Sequence, residues 1–303
     1  MIQMGIIVQI LWDGIILGAF YSLIALGYTM VYGIIRLLNF AHGDFYMFGA
    51  FIGYAGLSLL LGGSLGLSLL SIGLVFIITI IFVGLVGMGV ERIAYRPLLN
   101  APRLSLLITA IGVGFTLQYG TMLIWSPNHL SYPIKLPTTG ITFIGVNITY
   151  SQIIIVLIAA SLMYGLQRFV NGTIYGKAMR AISMDQTATS LMGVNINRVI
   201  ALTFFIGTAL AATAGIMTAV YYGTINFFMG FIMGLKAFTA AVLGGIGNIQ
   251  GAVLGGFMLG ILETAGTMVI GGAWKDVMAF VILILFLVFR PSGILGEQVT
   301  ERM

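Results

Sequence analysis

The sequence predicts an all-α membrane protein, built as a polytopic bundle of transmembrane helices. Two features of its composition support this prediction: 60% of the 303 residues are hydrophobic, and only 7% are charged. A soluble domain carries about 25% charged residues, so this chain has too few charges to cover a water-facing surface. Its long apolar runs also exclude a disordered chain, and they lack the alternation that is typical of a membrane β-barrel.

The charged residues divide the chain into segments that are long enough to cross a bilayer. A hydrocarbon core of about 30 Å needs about 20 helical residues. The stretch 45–90 contains no charge and has room for two crossings, with a turn near Gly62, Gly63 and Ser64. We predict one transmembrane domain over 1–303 with about nine crossings, in a range of about eight to ten. These crossings are expected at 16–35, 45–90 (two), 104–125, 150–166, 199–222, 225–246, 249–270 and 277–289.

The distribution of basic residues predicts the orientation. If the first crossing runs from outside to inside, the inside segments are 36–44, 91–103, 168–198 and 290–303. These segments hold ten of the thirteen Lys and Arg residues, whereas Lys135 and Lys275 fall outside and Lys236 falls within a crossing. Loops rich in Lys and Arg remain on the cytoplasmic side. We therefore expect the N-terminus outside, the C-terminus in the cytoplasm and an extracytoplasmic loop at about 126–149.

Two segments have the pattern of a helix, a break and a second helix. The first is 39–44, which reads Asn-Phe-Ala-His-Gly-Asp, and the second is the glycine-rich stretch 243–251. Interrupted hydrophobic segments in transporters often lie near the pathway, so discontinuous or re-entrant helices are expected here. Gly207, Ala211 and Gly215 repeat every four residues, which is consistent with tight helix packing or with a smooth pore wall.

The sequence contains none of the common catalytic motifs. The absence of cysteine excludes disulfides, thiolate metal sites and thiol nucleophiles. Gly176 and Lys177 are followed by Ala178, and Asn171 stands where a phosphate-binding loop requires its first glycine. There is also no zinc-protease or nucleophile-elbow motif. We therefore predict that the chain is not an enzyme and does not hydrolyse ATP by itself.

The polar stretch at about 171–198 is predicted to form two short helices. Asp185 suits the N-terminal cap of a helix, and Gly193 suits the residue after a helix, where φ is positive. A small apolar stripe with two adjacent basic residues is expected from Ala181, Ala188, Leu191 and Met192, with Lys177 and Arg180. Two interpretations are open: a plain connecting loop, or a docking element for a soluble partner.

Polar residues at membrane depth or at the ends of crossings are candidates for a pathway or gate: Asn39, His42, Asp44, Lys236 and Glu263. Charges inside a membrane are costly and are usually paired or face water. The alternative for Lys236 is that it extends to a helix end, and for Glu263 that it bonds a neighbouring helix. The alternative for Asp44 is that it caps the following helix.

Four runs of sequence resemble LivH-type permeases, the membrane subunits of branched-chain amino acid ABC importers. The runs occur in the same order as in that family and extend over nearly the whole chain: 33–44 (GIIRLLNFAHGD), 176–202, 236–251 and 291–296 (PSGILG). The cytoplasmic loop departs from the pattern of better-known ABC permeases, since Gly193 lies twelve residues after Ala181 rather than about four.

This resemblance implies half of a translocation pathway for branched-chain or other aliphatic amino acids in a bacterial inner membrane. The implied partners are a second permease of LivM type, two cytoplasmic ATPases that use ATP and Mg²⁺, and an extracytoplasmic binding protein. The chain itself would hold no cofactor or metal. Contact with an ATPase is expected through the 171–198 loop, at Gly176, Lys177, Arg180, Ala181, Asp185, Leu191, Met192 and Gly193. Urea or short-chain amides are alternative substrates, and a self-sufficient secondary transporter is the alternative class.

Overall fold

The computed structural model describes residues 2–36, 38–62, 68–99, 101–134, 136–143 and 146–296. The helices are α1 (Ile2–Ile35), α2 (His42–Gly62), α3 (Leu69–Val90), α4 (Arg103–Ile124), α5 (Tyr150–Gly172), α6 (Ile174–Met184), α7 (Gln186–Leu191), α8 (Ile196–Tyr222), α9 (Met229–Gly244), α10 (Ile249–Ile270) and α11 (Lys275–Phe289). Within these residues, eight helical segments are long and apolar enough to cross a membrane, and α6, α7 and α9 are not among them. The predicted all-helical bundle is confirmed, with a number of crossings inside the expected range.

Two of the eight crossings continue beyond a single α-helix. α3 is followed directly by a π-helical turn (Glu91–Tyr95) and a 3₁₀ turn (Arg96–Leu98), and a 3₁₀ turn (Gly272–Trp274) precedes α11. The two crossings predicted within 45–90 are α2 and α3. The turn expected between them at 63–64 lies outside the described residues.

One predicted crossing is shorter than expected. The stretch 225–246 was expected to cross the bilayer, but α9 has only sixteen residues. That length corresponds to about 24 Å, less than a hydrocarbon core of about 30 Å. The reason is a turn before the helix, where the Asn226 side chain accepts the Phe228 N–H at 2.9 Å.

Among the described residues, two short antiparallel strand pairs occur in the loops, and the sequence prediction did not include them. β1 (Leu130–Ser131) pairs with β4 (Thr224–Ile225), and β2 (Gly140–Phe143) pairs with β3 (Val146–Thr149). The pairs satisfy backbone hydrogen bonds where the chain leaves its helices, which a loop that folds beside a bilayer must achieve.

The first of two compact units comprises residues 1–29, 137–167 and 236–303. Its centre is a close approach of α1 and α10. A side-chain carbon added at Gly14 would lie 2.7 Å from the Ile261 Cα, and one added at Gly18 would lie 2.7 Å from the Phe257 Cα. Small residues therefore bring these two backbones into contact, as is usual where helices associate in lipid.

The second unit comprises residues 30–136 and 168–235. Here α2 packs against α8, where a side-chain carbon at Gly49 would lie 2.5 Å from the Ala212 Cα. A side-chain carbon at Gly215 would overlap the Tyr46 carbonyl oxygen. Of the two interpretations of the small residues on α8, these contacts support tight packing.

Both predicted breaks are present. Residues 36–41 separate α1 from α2, and residues 245–248 separate α9 from α10. The second break is covered by the segment after α11: the amides of Ile294 and Leu295 donate to the carbonyls of Leu243 and Gly244, at 2.9 and 3.0 Å. The 291–296 run therefore has a structural role, because its amides donate hydrogen bonds to carbonyls at the end of α9 that have no partner within the helix.

Candidate functional site

The polar segment between α5 and α8 forms two short helices, as predicted. Thr173 precedes α6 and accepts the Gly176 N–H at 3.1 Å, and Asp185 precedes α7 and accepts the Ala188 N–H at 2.9 Å. Gly193 follows the end of α7 with a φ of 85°, in the left-handed region that favours glycine. The predicted cap at Asp185 and the predicted turn at Gly193 are confirmed.

α6 is partly packed, and several large apolar side chains of the two short helices are exposed. Gly176, Met179 and Ile182 of α6 are buried. Five large apolar side chains of this segment are exposed: Ile174, Tyr175, Met184, Leu191 and Met192. The predicted apolar stripe was right for Leu191 and Met192, which are 83% and 84% exposed, but Ala181 is half-buried.

The two basic residues of this segment differ in their surroundings. Lys177 is exposed. Arg180 turns back to α5, where its Nη1 donates to the Val170 carbonyl and lies 3.3 Å from the Asn171 Oδ1. Arg180 thus holds α6 against the end of α5.

The break between α1 and α2 contains buried polar contacts. The Tyr95 hydroxyl and the Ala41 amide both donate to the Asn39 Oδ1, at 2.7 and 3.2 Å. The Gln118 amide donates to the Asp44 Oδ1 at 2.7 Å, and His42 is fully buried. Asp44 does not cap α2, because the helix begins at His42 and Asp44 lies within its first turn. There its carboxyl group lies near the positive end of the helix dipole.

The first turn of α2 lies beside the middle of α4. Asp44 contacts Gln118, and a side-chain carbon at Gly114 would lie 2.5 Å from the Asp44 Oδ2. Gly114 is about 16 Å along α4, at 1.5 Å per residue. Gly43 also packs directly against Gly230, near the start of α9. The break therefore lies beside the middle of a neighbouring helix, whereas the charge distribution had assigned 36–44 to an inside segment at the end of a crossing.

A second group of charges surrounds Lys236 on α9. The Lys236 Nζ lies 2.8 Å from the Glu263 Oε1 and 2.6 Å from the Asp276 Oδ1. The Lys275 Nζ lies 3.4 Å from the same Glu263 oxygen, and the Tyr21 hydroxyl donates to the Glu263 Oε2 at 2.8 Å. Two cations and two carboxylates therefore alternate in one chain of contacts, which we call the four-charge cluster.

Lys236 and Glu263 are partners, a question that the sequence left open. The alternative in which Lys236 extends to a helix end is wrong, because its side chain is only 4% exposed and contacts two carboxylates. The sequence prediction missed Tyr21, Asp276 and Lys275 in this group. The adjacent charges Lys275 and Asp276, just before an apolar crossing, were the available signal. No sequence pattern indicated Tyr95 and Gln118, since their hydrogen bonds join residues that are far apart in the chain.

A family model described as branched-chain amino acid transport system / permease component matches residues 10–287 of the chain. The chain belongs to this permease family. Its relatives in the family include the high-affinity branched-chain amino acid transport system permease protein BraD of Pseudomonas aeruginosa, which is 46% identical over 97% of both chains. LivH of Salmonella typhimurium is 42% identical and LivH of Escherichia coli K12 is 40% identical, again over 97% of both chains.

A more distant relative is the autoinducer 2 import system permease protein LsrC of an Enterobacter species, which is 30% identical over 66% of this chain. Membership of the permease family makes the chain a multi-pass membrane subunit of a transport system with ABC partner subunits. Such membrane subunits are not catalytic.

Proposed function

We propose that this chain is one of two permease subunits of an ABC importer for branched-chain amino acids, where it forms half of the translocation pathway. The proposal depends on one observation above all: permeases of high-affinity branched-chain amino acid systems match this chain at 40–46% identity over 97% of both sequences. A match of that extent covers almost the whole chain.

The other components follow from this role. A second permease of LivM type completes the pathway, two cytoplasmic ATPases bind ATP and Mg²⁺, and an extracytoplasmic binding protein delivers the amino acid. The distribution of Lys and Arg supports an N-terminus outside and a C-terminus in the cytoplasm of a bacterial inner membrane. This orientation needs an odd number of crossings, so in this proposal the sixteen-residue α9 crosses together with the eight longer segments.

Coupling to an ATPase is assigned to the 171–198 segment. Its exposed apolar side chains include Leu191 and Met192 at the end of α7. Contact of such side chains with water is unfavourable, so they indicate an interaction surface. Short helices that present such residues are well suited to a groove on a partner. The other residues assigned to the contact hold its shape or flank it: Gly176, Lys177, Arg180, Ala181, Asp185 and Gly193.

The pathway or gate is assigned to the two buried polar groups. One contains Asn39, His42 and Asp44 at the α1–α2 break, and the other contains Lys236 and Glu263. Buried polar groups at membrane depth are expensive to maintain, and in transporters they mark the route of the solute.

Native mass spectrometry tests the assembly. The tagged chain is purified from its host in a mild detergent, and the mass of the intact particle is measured. A particle with one second permease and two ATPases is expected, and a particle of this chain alone or of its copies would favour a secondary transporter.

Uptake by the purified assembly in proteoliposomes then tests the substrate. Radiolabelled leucine and urea are compared, each with the binding protein of the same system outside and ATP inside. ATP-dependent leucine accumulation is expected. Accumulation of urea instead, or leucine entry that follows an ion gradient without ATP, would contradict the proposal.

A further inference from the structure

Within the four-charge cluster, Lys236 contacts two carboxylates, although its burial requires only one. A buried lysine needs one counter-charge, and Glu263 provides it at 2.8 Å with no exposed side-chain surface. Asp276 is a second partner at 2.6 Å, and its side chain is 53% exposed. Lys275, which contacts Glu263, is 37% exposed. The cluster therefore connects a fully buried ion pair to the protein surface through Asp276 and Lys275.

We propose that the contact between Lys236 and Asp276 is a binding site for the charged end of an α-amino acid. This inference rests on the proposed function, since it names a substrate contact for the same permease. The carboxylate of the amino acid replaces Asp276 beside the Lys236 ammonium. The freed Asp276 carboxylate then accepts the amino group, so that each charge of the zwitterion meets an opposite charge.

The remaining members of the cluster make this exchange possible. Glu263 accepts from Tyr21 and contacts Lys236, so it holds the Lys236 side chain in place while Asp276 moves. Asp276 lies in the first turn of α11 and is half exposed, so its side chain has room to turn outwards. No net charge is gained or lost in the exchange, which matters because an uncompensated charge in a poorly hydrated place is costly.

Exposed apolar residues occur close in the sequence to Asp276. Trp274 and Val277 flank Lys275 and Asp276 in the sequence and are 54% and 47% exposed. In the proposed site, the short branched hydrocarbon of the zwitterionic ligand would lie against apolar surface at this end of α11. A simple cation or anion would not make this contact.

Ligand-observed NMR on the assembled wild-type permease complex, without its binding protein, tests the site. Three probes are compared at equal concentration: leucine, isoamylamine, which lacks the carboxylate, and 4-methylpentanoate, which lacks the amino group. Saturation transfer to leucine is expected, with at least about tenfold weaker binding of either half-molecule, since each loses one charge-assisted contact. Equal binding of all three, or no binding of leucine, would overturn the proposal without any need for a variant.

Variants then locate the site. Asp276→Asn keeps the shape but not the charge and is expected to weaken leucine binding at least about tenfold, whereas Asp276→Glu restores it. Asp13→Asn is the matched control in the same unit, because Asp13 accepts from the neutral Gln9 side chain. Unchanged leucine binding in Asp276→Asn would overturn the site. If wild-type uptake of leucine still requires ATP in that case, the proposed function stands and only the site fails.

Discussion

At the scale of single residues, the glycines of this chain fall into two groups. A side-chain carbon at Gly215 would overlap the Tyr46 carbonyl, whereas one at Gly165 would meet nothing within 4 Å. Helices in lipid have no hydrophobic force that favours one another over the acyl chains, so close packing of small residues holds them together. Gly215 belongs to that packing, and Gly165 does not.

Substitution by alanine should separate these two groups. Gly215→Ala is expected to destabilise the protein by about 1–3 kcal/mol, because α2 and α8 must move apart. The measurement is the unfolding midpoint of the purified chain in mixed detergent micelles. Gly165→Ala is the control and should leave the midpoint unchanged or slightly raised, since alanine favours helix more than glycine. Equal midpoints for both variants would contradict the packing role of Gly215.

At the scale of elements, the segment that contains α6 and α7 combines a fixed shape with an exposed surface. Its shape comes from local contacts, namely the caps at Thr173 and Asp185 and the positive φ at Gly193. Its surface comes from side chains that none of those contacts use, such as Leu191 and Met192. A change in either feature should therefore affect coupling without affecting membrane insertion.

Gly193→Pro should abolish uptake, because proline fixes φ near −65° and cannot adopt the 85° of this residue. Gly193→Asn should retain uptake, since asparagine tolerates the left-handed region. Leu191→Asp, which changes only an exposed side chain, should reduce ATP-dependent uptake at least about tenfold through loss of the apolar contact. Uptake is measured in cells, with the amount of membrane-inserted protein as the control. Normal uptake by Gly193→Pro and Leu191→Asp would contradict the coupling assignment.

At the scale of the whole molecule, the two kinds of loop differ in charge. The loop 126–149 has a single basic residue, Lys135, whereas the inside segment 168–198 has four, at Arg168, Lys177, Arg180 and Arg198. Basic loops are retained in the cytoplasm during insertion. The two exposed residues Asn128 and Thr187 are therefore expected on opposite sides of the membrane.

Because the chain has no cysteine, single introduced cysteines report the orientation directly. Asn128→Cys should react with a membrane-impermeant maleimide in spheroplasts, which lack the outer membrane but keep an intact inner membrane. Thr187→Cys should react only after the membrane is permeabilised. The opposite pattern would place the N-terminus in the cytoplasm, and would separate the 171–198 segment from any cytoplasmic ATPase.

The sequence by itself determined the helical membrane-spanning fold, both helix breaks, the two short helices and the permease family. The fold, the breaks and the short helices follow from local rules: the cost of charge in lipid, the length of a crossing, and the capping preferences of Asp185 and Gly193. The family follows instead from the resemblance of four runs of sequence. The same local rules overestimated the length of α9, because they do not account for the turn at Asn226 that precedes the helix.

Only the tertiary structure decided which polar residues meet. The sequence identified Lys236 and Glu263 as costly charges but could not pair them, and it did not identify Asp276 as the second partner of Lys236. It likewise identified Asn39 and Asp44 without Tyr95 and Gln118. The physical reason is that a charge in a membrane is stabilised by whichever helix packs beside it. That choice depends on how glycine contacts such as Gly14 against Ile261 align the helices.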